Sequence, residues 1–287
     1  MLKRTTMACV ALGLTIAQAL AQAPGKSTFD RIVSTKVLRL GAAQAEPWYF
    51  KDTTGSNAPG AVRSGDDVWR GVGPAVGKTI ADAMGAKLQI VETTYASAVA
   101  GLQSNQFDVM FVLNGTPKRA LAVDFLANPL LWFPMGYYSR DPDISPKTTW
   151  KELDDPKYRI GVFLGGNSDQ FANERVPHAT IMRFQQEGEL WAAFQANRIH
   201  GVIVPATQLS VMHAQLKMGK VINPRPFAAI PAGIAIQTEA DPRWRNYLTT
   251  ATSYLYSSGD IERMYEEYLA FRGVDVSDVI PVIRENW

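Results

Sequence analysis

Short apolar runs alternate with segments of helical periodicity along the first half of the chain. Apolar runs typical of strands occupy residues 37–41, 87–91 and 107–113. Between them, the apolar positions of 77–84 and 96–103 recur at helical spacing, and a glycine follows the first of these two helices. This alternation predicts an α/β unit with a parallel sheet, whose ligands lie beyond the carboxyl ends of its strands.

The same alternation begins again after Asp141-Pro142. A helical turn at 150–153 is followed by a strand at 158–163, which runs into a glycine-rich turn at 165–166. Further along, the pattern predicts helices at 185–196, 208–216 and 242–269, the last with a break at Gly259-Asp260, and strands at 201–204 and 233–236. The sequence therefore predicts two α/β lobes.

The first 23 residues have the pattern of a cleaved secretory signal. Lys3 and Arg4 precede an apolar stretch at 7–17, and small residues at 21–23 offer a cleavage site. The alternative is an uncleaved anchor, but the stretch is short against the roughly 20 residues of a membrane span. We therefore expect a soluble protein in the periplasm. Cys9, the only cysteine, would leave with the signal, so neither a disulfide nor a thiolate metal site is expected.

Charge and motif content exclude several functions. Loss of Lys3 and Arg4 would reduce the 29 basic residues to 27, equal to the 27 acidic ones, so nothing favours nucleic acid as a partner. The three histidines, at 178, 200 and 213, lack metal-ligand spacing, and the chain contains neither a phosphate loop nor a nucleophile elbow. We expect no metal and no cofactor.

Several segments share the residue pattern of one protein family. Thr-Pro-Lys-Arg-Ala at 116–120, followed by Val-Asp-Phe at 123–125, resembles the Thr-Pro-x-Arg-Ala…Val-Asp-Phe segment of the family 3 extracellular solute-binding proteins, the polar amino-acid binders of ABC importers. Further similarities to the family occur at 38–50, 100–109, 160–165 and 233–242. The resemblance spans nearly the whole chain after residue 23.

This resemblance implies an architecture and a role. The implied fold is the type II periplasmic-binding-protein fold, two α/β lobes joined by two hinge strands with the ligand cleft between them. Lobe one would comprise residues 24–138 and 236–287, and lobe two residues 139–235. The implied protein is a monomer and not an enzyme. It would bind a small carboxylate-bearing ligand and deliver it to an ABC permease in the inner membrane.

The resemblance assigns the carboxylate of the ligand to Arg119. A guanidinium offers a planar fork of donors that matches both oxygens of a carboxylate, and the predicted helix start at Thr116 would add N–H groups and a helix dipole. The alternative is a surface arginine paired with Asp124. Asn114 and Thr116 would add polar contacts at the same rim, or would cap the following helix.

Lobe two and the aromatic residues complete the predicted site. Gly166, Asn167 and Ser168 form a glycine-rich turn into a helix, whose N–H groups would close onto the same carboxylate, although a plain turn has the same pattern. Trp48 and Tyr95 lie where family members place aromatic residues against the ligand side chain, but both residue types also fill cores.

The chain departs from the family pattern at the expected amine site. Pro205 stands where family members usually carry an aspartate, and Ala42 and Ala43 replace an acid often found after the first strand. Glu46 is the nearby replacement, either facing the cleft or solvated in a loop. Ligands without an amine, such as keto, hydroxy or aromatic acids, are therefore candidates as well as amino acids.

Two other functions remain open. Residues 27–33 also resemble the opening of periplasmic cyclohexadienyl dehydratases, which use this fold for decarboxylation and dehydration of a prephenate-like substrate and need a positioned general acid. Glu46, Glu174 and His178 are conceivable acids, but they form no recognisable constellation. A sensor that reports the ligand to a membrane partner has the same sequence features as a transport protein.

Overall fold

A computed structural model of the chain describes residues 27–276 and 279–286. The predicted signal peptide and Cys9 lie outside the described residues. The described helices are α1 (Thr28–Thr35), α2 (Val72–Ala83), α3 (Ala98–Gln103), α4 (Trp150–Leu153), α5 (Asn167–Arg175), α6 (Glu187–Gln195), α7 (Ala206–Leu216), α8 (Arg243–Ser257) and α9 (Asp260–Phe271). None of these helices is long and apolar enough to cross a membrane.

The strands form two large sheets and one small sheet. They are β1 (Val37–Ala42), β2 (Phe50–Lys51), β3 (Val62–Ser64), β4 (Asp67–Arg70), β5 (Lys87–Glu92), β6 (Val109–Phe111), β7 (Asp124–Phe125), β8 (Leu131–Ser139), β9 (Arg159–Phe163), β10 (Thr180–Phe184), β11 (Gly201–Pro205), β12 (Lys220–Ile222), β13 (Ala229–Ala232) and β14 (Ile234–Ile236). Their pairing gives the two-lobed α/β architecture that the sequence predicts.

The first sheet has the order β5-β1-β6-β14-β7 and defines lobe one. Strand β1 runs parallel to both β5 and β6, with Leu40 opposite Ile90 and Val109. Every residue of β6 is buried, as expected for a short apolar strand in the middle of a sheet covered on both faces. The small sheet β2-β4-β3, which the sequence pattern does not predict, lies beside this lobe.

The second sheet has the order β10-β9-β11-β8-β12 and defines lobe two. Strands β9, β10 and β11 run parallel, whereas β8 is antiparallel to both β11 and β12. Strand β8 is the longest of the sheet, and its residues are almost all buried. It lies between β11 and β12, so its apolar side chains supply much of the core of lobe two.

Two paired segments connect the sheets. The chain passes from lobe one to lobe two between β7 and β8, and returns at Gly233 between β13 and β14. Strand β13 pairs antiparallel with the first half of β8, so that Ala232 lies opposite Leu131. The N–H of Leu126 also donates to the carbonyl of Ile234 at 3.0 Å. We refer to residues 126–134 and 229–234 as the hinge segments.

The pairing of β8 bears on the limits of the lobes. The predicted boundary at residue 138 divides β8, yet this strand pairs with β11, β12 and β13 along its length. We therefore propose that lobe one ends at the first hinge segment, near residue 130, and resumes with β14. At the return point Gly233 is required, because a Cβ there would lie 2.4 Å from the carbonyl oxygen of Leu113.

The helix predictions differ from the structure mainly at the ends of the elements. The break at Gly259 is confirmed, since this residue has a φ of 79° and separates α8 from α9. Helix α2 begins at Val72, before the predicted 77, because the N–H groups of Val72 and Gly73 donate to the carbonyls of Pro47 and Trp48. The start of α2 thus holds the turn that carries Trp48.

Gly73, at the start of α2, packs closely against the turn at 47–49, and this contact can be tested by substitution. A Cβ on Gly73 would lie 2.3 Å from Cε1 of Tyr49, a fully buried residue whose hydroxyl donates to the carbonyl of Phe111 at 2.9 Å. We expect Gly73→Ala to lower the free energy of unfolding by about 1–3 kcal/mol in urea denaturation, as overpacking does. Gly188→Ala in α6 is the matched control, since nothing lies within 4 Å of the position that its new methyl group would occupy. Equal urea midpoints for parent and Gly73→Ala would contradict the prediction.

Candidate functional site

A small cavity lies between the two lobes, next to the hinge. Its volume is about 20 Å³, roughly the space of one water molecule. The lining residues are Ala45, Trp48, Tyr95 and Val112 from lobe one, Phe133 from β8, and Phe163, Gly166, Asn167, Ser168, Pro205 and Gln208 from lobe two. We call it the cleft cavity. An amino acid is larger than this volume, so a ligand has to enter while the lobes are further apart.

Aromatic side chains form much of the wall of the cleft cavity. Trp48 is 2% exposed and packs against Phe133 and Tyr265, with ring centroids 4.8 and 6.1 Å away. Tyr95 lines the same cavity from lobe one. Burial, and then the nearby carboxylate of Glu187, raise the pKa of its hydroxyl well above the ordinary value. Flat rings of this kind favour an apolar or planar part of a ligand.

The N-terminus of α5 forms the lobe-two side of the cleft cavity. Gly166 precedes the helix, and Asn167 and Ser168 occupy its first two positions. The N–H groups of Asn167 and Ser168 have no partner within the helix and could bind an anion, whereas the N–H of Gly166 donates to the carbonyl of Phe163 at 3.1 Å. Gly165 has a φ of 68°, and its N–H donates to the carboxylate of Asp169 at 3.0 Å, which holds the turn in place.

Arg119 lies beside the cleft cavity and bridges the lobes. It lines a neighbouring open depression together with Thr116, Gly165 and Gly166. Its Nη1 donates to the carbonyl of Asn114 in lobe one at 2.9 Å, and its Nη2 donates to the carbonyl of Gly165 in lobe two. Burial lowers the pKa of Arg119, but an arginine side chain stays protonated in proteins.

The alternative pairing of Arg119 with Asp124 is not seen among the described residues. Asp124 instead forms an ion pair with Arg245 and accepts a hydrogen bond from Thr238 at 3.0 Å. The guanidinium of Arg119 contacts the carbonyl of Gly165 in lobe two instead.

Asn114 and Thr116 have structural partners. The side-chain oxygen of Asn114 accepts the N–H of Gly233 at 2.7 Å and so ties the rim to the second hinge segment. The hydroxyl of Thr116 accepts the N–H of Arg119 at 3.1 Å. The predicted helix after Thr116 is only a three-residue 3₁₀ turn, Arg119–Leu121, so the expected helix dipole at this point was wrong.

Glu46 is buried and already paired. It is 6% exposed, and its carboxylate lies 2.7 Å from Nε of Arg272. The hydroxyl of Tyr268 donates to it at 2.6 Å and the amide of Gln215 at 3.2 Å. It is not among the residues that line the cleft cavity. Its charge is balanced by Arg272.

Glu187, at the start of α6, is a site residue that the sequence did not reveal. It is partly buried at the contact of the lobes. Its carboxylate accepts the N–H of Glu46 at 3.2 Å, the indole N–H of Trp191 at 3.3 Å and the amide of Gln208 at 3.5 Å. Burial, and then the charge of Glu46, raise the pKa of Glu187 to about 7.

Sequence reasoning missed Glu187 because nothing distinguishes it from Glu189, another acid in the first turn of the same helix. It also missed Gln208, Phe133 and Phe163, since these residues lie on separate elements that only the folded lobes bring together. By contrast, the sequence pattern pointed to Trp48, Tyr95, Gly166, Asn167 and Ser168, and these residues do line one cavity.

The residues considered as general acids lie away from this cavity. Glu174, His178 and Glu46 are not among its lining residues. The ring Nδ1 of His178 lies 2.7 Å from a carboxylate oxygen of Asp154, and the side chain is 74% exposed. Within the described residues, no group of three or more histidine, cysteine or acidic side chains is placed to hold a metal ion.

Solved structures with the same fold are numerous. An ancestral amino acid-binding protein, described as a precursor of cyclohexadienyl dehydratase, is 25% identical with a TM-score of 0.71 over 84% of this chain and 99% of its own. The solute receptor for L-cysteine of Neisseria gonorrhoeae is 21% identical, with a TM-score of 0.73 over 90% of this chain and 98% of its own.

A third similar structure is an amino acid ABC transporter substrate-binding protein from Streptococcus pneumoniae bound to L-arginine. It is 14% identical, with a TM-score of 0.70 over 85% of this chain and 98% of its own. No curated protein sequence matches this chain significantly. The family model of bacterial extracellular solute-binding proteins, family 3, matches residues 52–271. The chain therefore belongs to this family of solute-binding proteins, with two lobes that have the type II periplasmic-binding-protein fold.

Proposed function

We propose that the protein captures a small carboxylate-bearing ligand, an amino acid or a related organic acid, in the cleft and delivers it to an ABC importer of the inner membrane. The observation that carries this proposal is the meeting of Arg119 from lobe one with the N-terminus of α5 from lobe two at Gly165. A guanidinium and helix N–H groups on both sides of one cleft favour an anion.

The residues around the anion site limit the rest of the ligand. Trp48, Tyr95, Phe133 and Phe163 surround the cleft cavity, and no acid or base is among the lining side chains. Pro205 occupies the end of β11 at this wall and has no charge to offer. The proposed ligand therefore has an apolar or aromatic body beside its carboxylate.

The proposed anion site has one half on lobe one, at Arg119, and the other on lobe two, at the start of α5, so ligand binding involves movement of the lobes. We propose that a ligand first contacts lobe one at Arg119 and is then enclosed as lobe two moves about the hinge segments. A ligand shifts the equilibrium only through contacts that it makes better in the closed form. In this proposal those contacts are made by the turn at Gly166 and by the N–H groups of Asn167 and Ser168, all of which line the cavity from the moving lobe.

Export and delivery rest on the family and on the N-terminal pattern. The family is extracellular, and residues 1–23 have the features of a secretory signal, so we propose a periplasmic location. A similar structure is described as the binding component of an amino acid ABC transporter, which supports import over sensing. Permease and ATPase genes beside the gene for this protein would favour import, whereas a neighbouring sensor kinase would favour sensing.

A thermal-shift screen tests the proposed ligand class. The purified protein is first unfolded and refolded to remove any bound solute, and then heated with amino acids, keto acids, hydroxy acids and aromatic acids. A ligand at 100 times its Kd should stabilise the protein by about 2.7 kcal/mol, and raise Tm by roughly 5–10 °C. Esters or amides of the same compounds are the control and should give no shift.

The screen includes prephenate, with its consumption monitored. Stabilisation by free acids but not by their esters would support carboxylate capture. The absence of any shift with free acids would contradict it, and turnover of prephenate would establish an enzyme in place of a transport protein.

A further inference from the structure

We infer that closure of the two lobes takes up a proton, so that the closed form is favoured as the pH falls. The inference is carried by two carboxylates, Glu46 of lobe one and Glu187 of lobe two, which are neighbours across the contact of the lobes. It rests on the lobe movement proposed above, but it concerns the equilibrium between the open and closed forms and not the class of ligand.

Two hydrogen bonds cross from one lobe to the other at these acids. The backbone N–H of Glu46 donates to the carboxylate of Glu187 at 3.2 Å, and the side-chain amide of Gln215 donates to the carboxylate of Glu46 at the same distance. Glu187 lies at the start of α6 and Gln215 on α7, so the turn after β1 contacts two helices of lobe two. Separation of the lobes would break both hydrogen bonds and expose the carboxylate of Glu187 to water.

One of the two acids has a cationic partner, and the other has none among the described residues. Nε of Arg272 lies 2.7 Å from the carboxylate of Glu46, and Nη2 donates to it at 3.0 Å. The hydrogen-bond donors to Glu187 are all neutral: a backbone N–H, an indole and an amide. A second negative charge beside Glu46, away from bulk water, is unfavourable, and a proton on Glu187 removes it.

The other titratable groups that face Glu187 are Tyr95, on the loop before α3, and Tyr268, on α9. Burial is the main cause that raises the pKa of both hydroxyls well above the ordinary value, so both stay neutral near pH 7. Arg272, also on α9, stays protonated. We therefore assign the change of charge near neutral pH to Glu187.

The direction of the pH effect follows from the environment of Glu187 in each form. In the closed form, burial, and then the charge of Glu46, raise the pKa of Glu187 to about 7. In an open form that exposes this carboxylate, its pKa would return toward the ordinary value of about 4.3. The closed form then binds more protons, so its advantage is complete below about pH 4 and is lost as the pH rises to about 7. Ligand affinity, which depends on closure, should fall over the same range.

Calorimetric titration in paired buffers tests the inference, because a proton taken up on binding adds the ionisation heat of the buffer. The titrant is the carboxylic acid that stabilises the protein most in the thermal-shift screen, measured at pH 6.0, 7.0 and 8.0. For the parent we expect an uptake of about 0.9 proton per bound molecule at pH 6.0 and about 0.1 at pH 8.0, with roughly tenfold tighter binding at pH 6.0.

Three variants separate the contribution of Glu187 from that of the titrant. Glu187→Gln should take up no proton beyond those that the titrant itself exchanges, and should lose the tenfold change in affinity. Glu189→Gln is the matched control, because it removes an acid from the same helical turn at an exposed position, and it should behave as the parent. Glu46→Gln removes the neighbouring charge and frees Arg272 for Glu187, so the uptake at pH 6.0 should fall to less than about half of the parent value.

An uptake below about 0.3 proton at pH 6.0 in the parent, or equal uptake in the parent and Glu187→Gln, would overturn the inference and leave carboxylate capture intact. If Glu187→Gln does not fold, the comparison of the parent with Glu46→Gln decides in the same way.

If no acid in the screen binds, the proposed function fails, and small-angle X-ray scattering of the ligand-free protein decides the inference separately. The radius of gyration should then be smaller at pH 6.0 than at pH 8.0 in the parent and the same at both in Glu187→Gln. Equal values in the parent would overturn proton-coupled closure.

Discussion

Replacement of Arg119 by alanine should weaken ligand binding by about 2–3 kcal/mol or more, roughly 30- to 150-fold. The guanidinium is a cation at the junction of the lobes, and its loss would remove the proposed charge-assisted, two-point contact to the carboxylate. Calorimetric titration of the best ligand at neutral pH measures the effect. Arg119→Lys should lie between the parent and the alanine variant, because lysine keeps the charge but not the planar fork.

Arg63→Ala is the matched control for Arg119. It removes the same side chain from an exposed position on β3, away from the cleft cavity, and should leave the affinity unchanged. An Arg119→Ala variant that binds as tightly as the parent would show that the carboxylate lies elsewhere.

Arg70→Ala should lower the free energy of unfolding by about 3–5 kcal/mol, because it leaves a buried carboxylate without its partner. Arg70 and Asp52 are each 1% exposed in their side chains, and Nε of Arg70 lies 2.6 Å from the carboxylate. The guanidinium also donates to the carbonyls of Ser56 and Ala58 and lies 4.3 Å from the ring centroid of Phe271. One side chain thus holds the loop after β2 against α9.

Urea denaturation at pH 7 measures this effect, with Arg63→Ala again as the control. The double variant Asp52→Asn, Arg70→Ala should recover part of the loss, since no unpaired charge remains. Burial opposes ionisation of Asp52, but hydrogen bonds from Arg70 and Thr54 outweigh it and lower the pKa. A lowered pKa means that the pair stabilises the fold above about pH 4 and loses this contribution as the pH falls. An unchanged urea midpoint in Arg70→Ala would contradict the prediction.

Strands and helices could be predicted from the sequence where the apolar pattern of a single segment is sufficient to identify the element. The apolar runs of β1, β6 and β11 are largely buried in their sheets. A run of apolar residues predicts such a strand without knowledge of the strands that pair with it. The break at Gly259 was predictable for the same reason, since glycine tolerates the positive φ that ends one helix and starts the next.

The order and pairing of the second sheet were less predictable. Strand β8 contains Pro134 and Gly136, which argue against a central strand, and it was not predicted as one. It nevertheless pairs on both sides, with β11 and β12 beyond the proline and with β13 alongside it. Tertiary pairing decided its conformation, and local propensity did not.

The candidate site divides in the same way. Residues in short local motifs, such as Arg119 after its Thr-Pro pair and Gly166 before α5, could be named from the sequence because a turn or a helix start needs only neighbouring residues. Two acids show the opposite case. Glu46 was expected either to face the cleft or to be solvated in a loop, but the fold buries it against Arg272, more than 200 residues later. Glu187 was overlooked, and the fold places it at the contact of the lobes.

Periodicity and local motifs alone were thus enough to predict the class of the fold, the two lobes and the family, and to propose residues that could hold a carboxylate. The ion pairs of the acids and the set of aromatic side chains that share a cavity followed only from the folded chain. The physical reason is that burial and charge pairing depend on contacts between residues far apart in the chain, which no local pattern records.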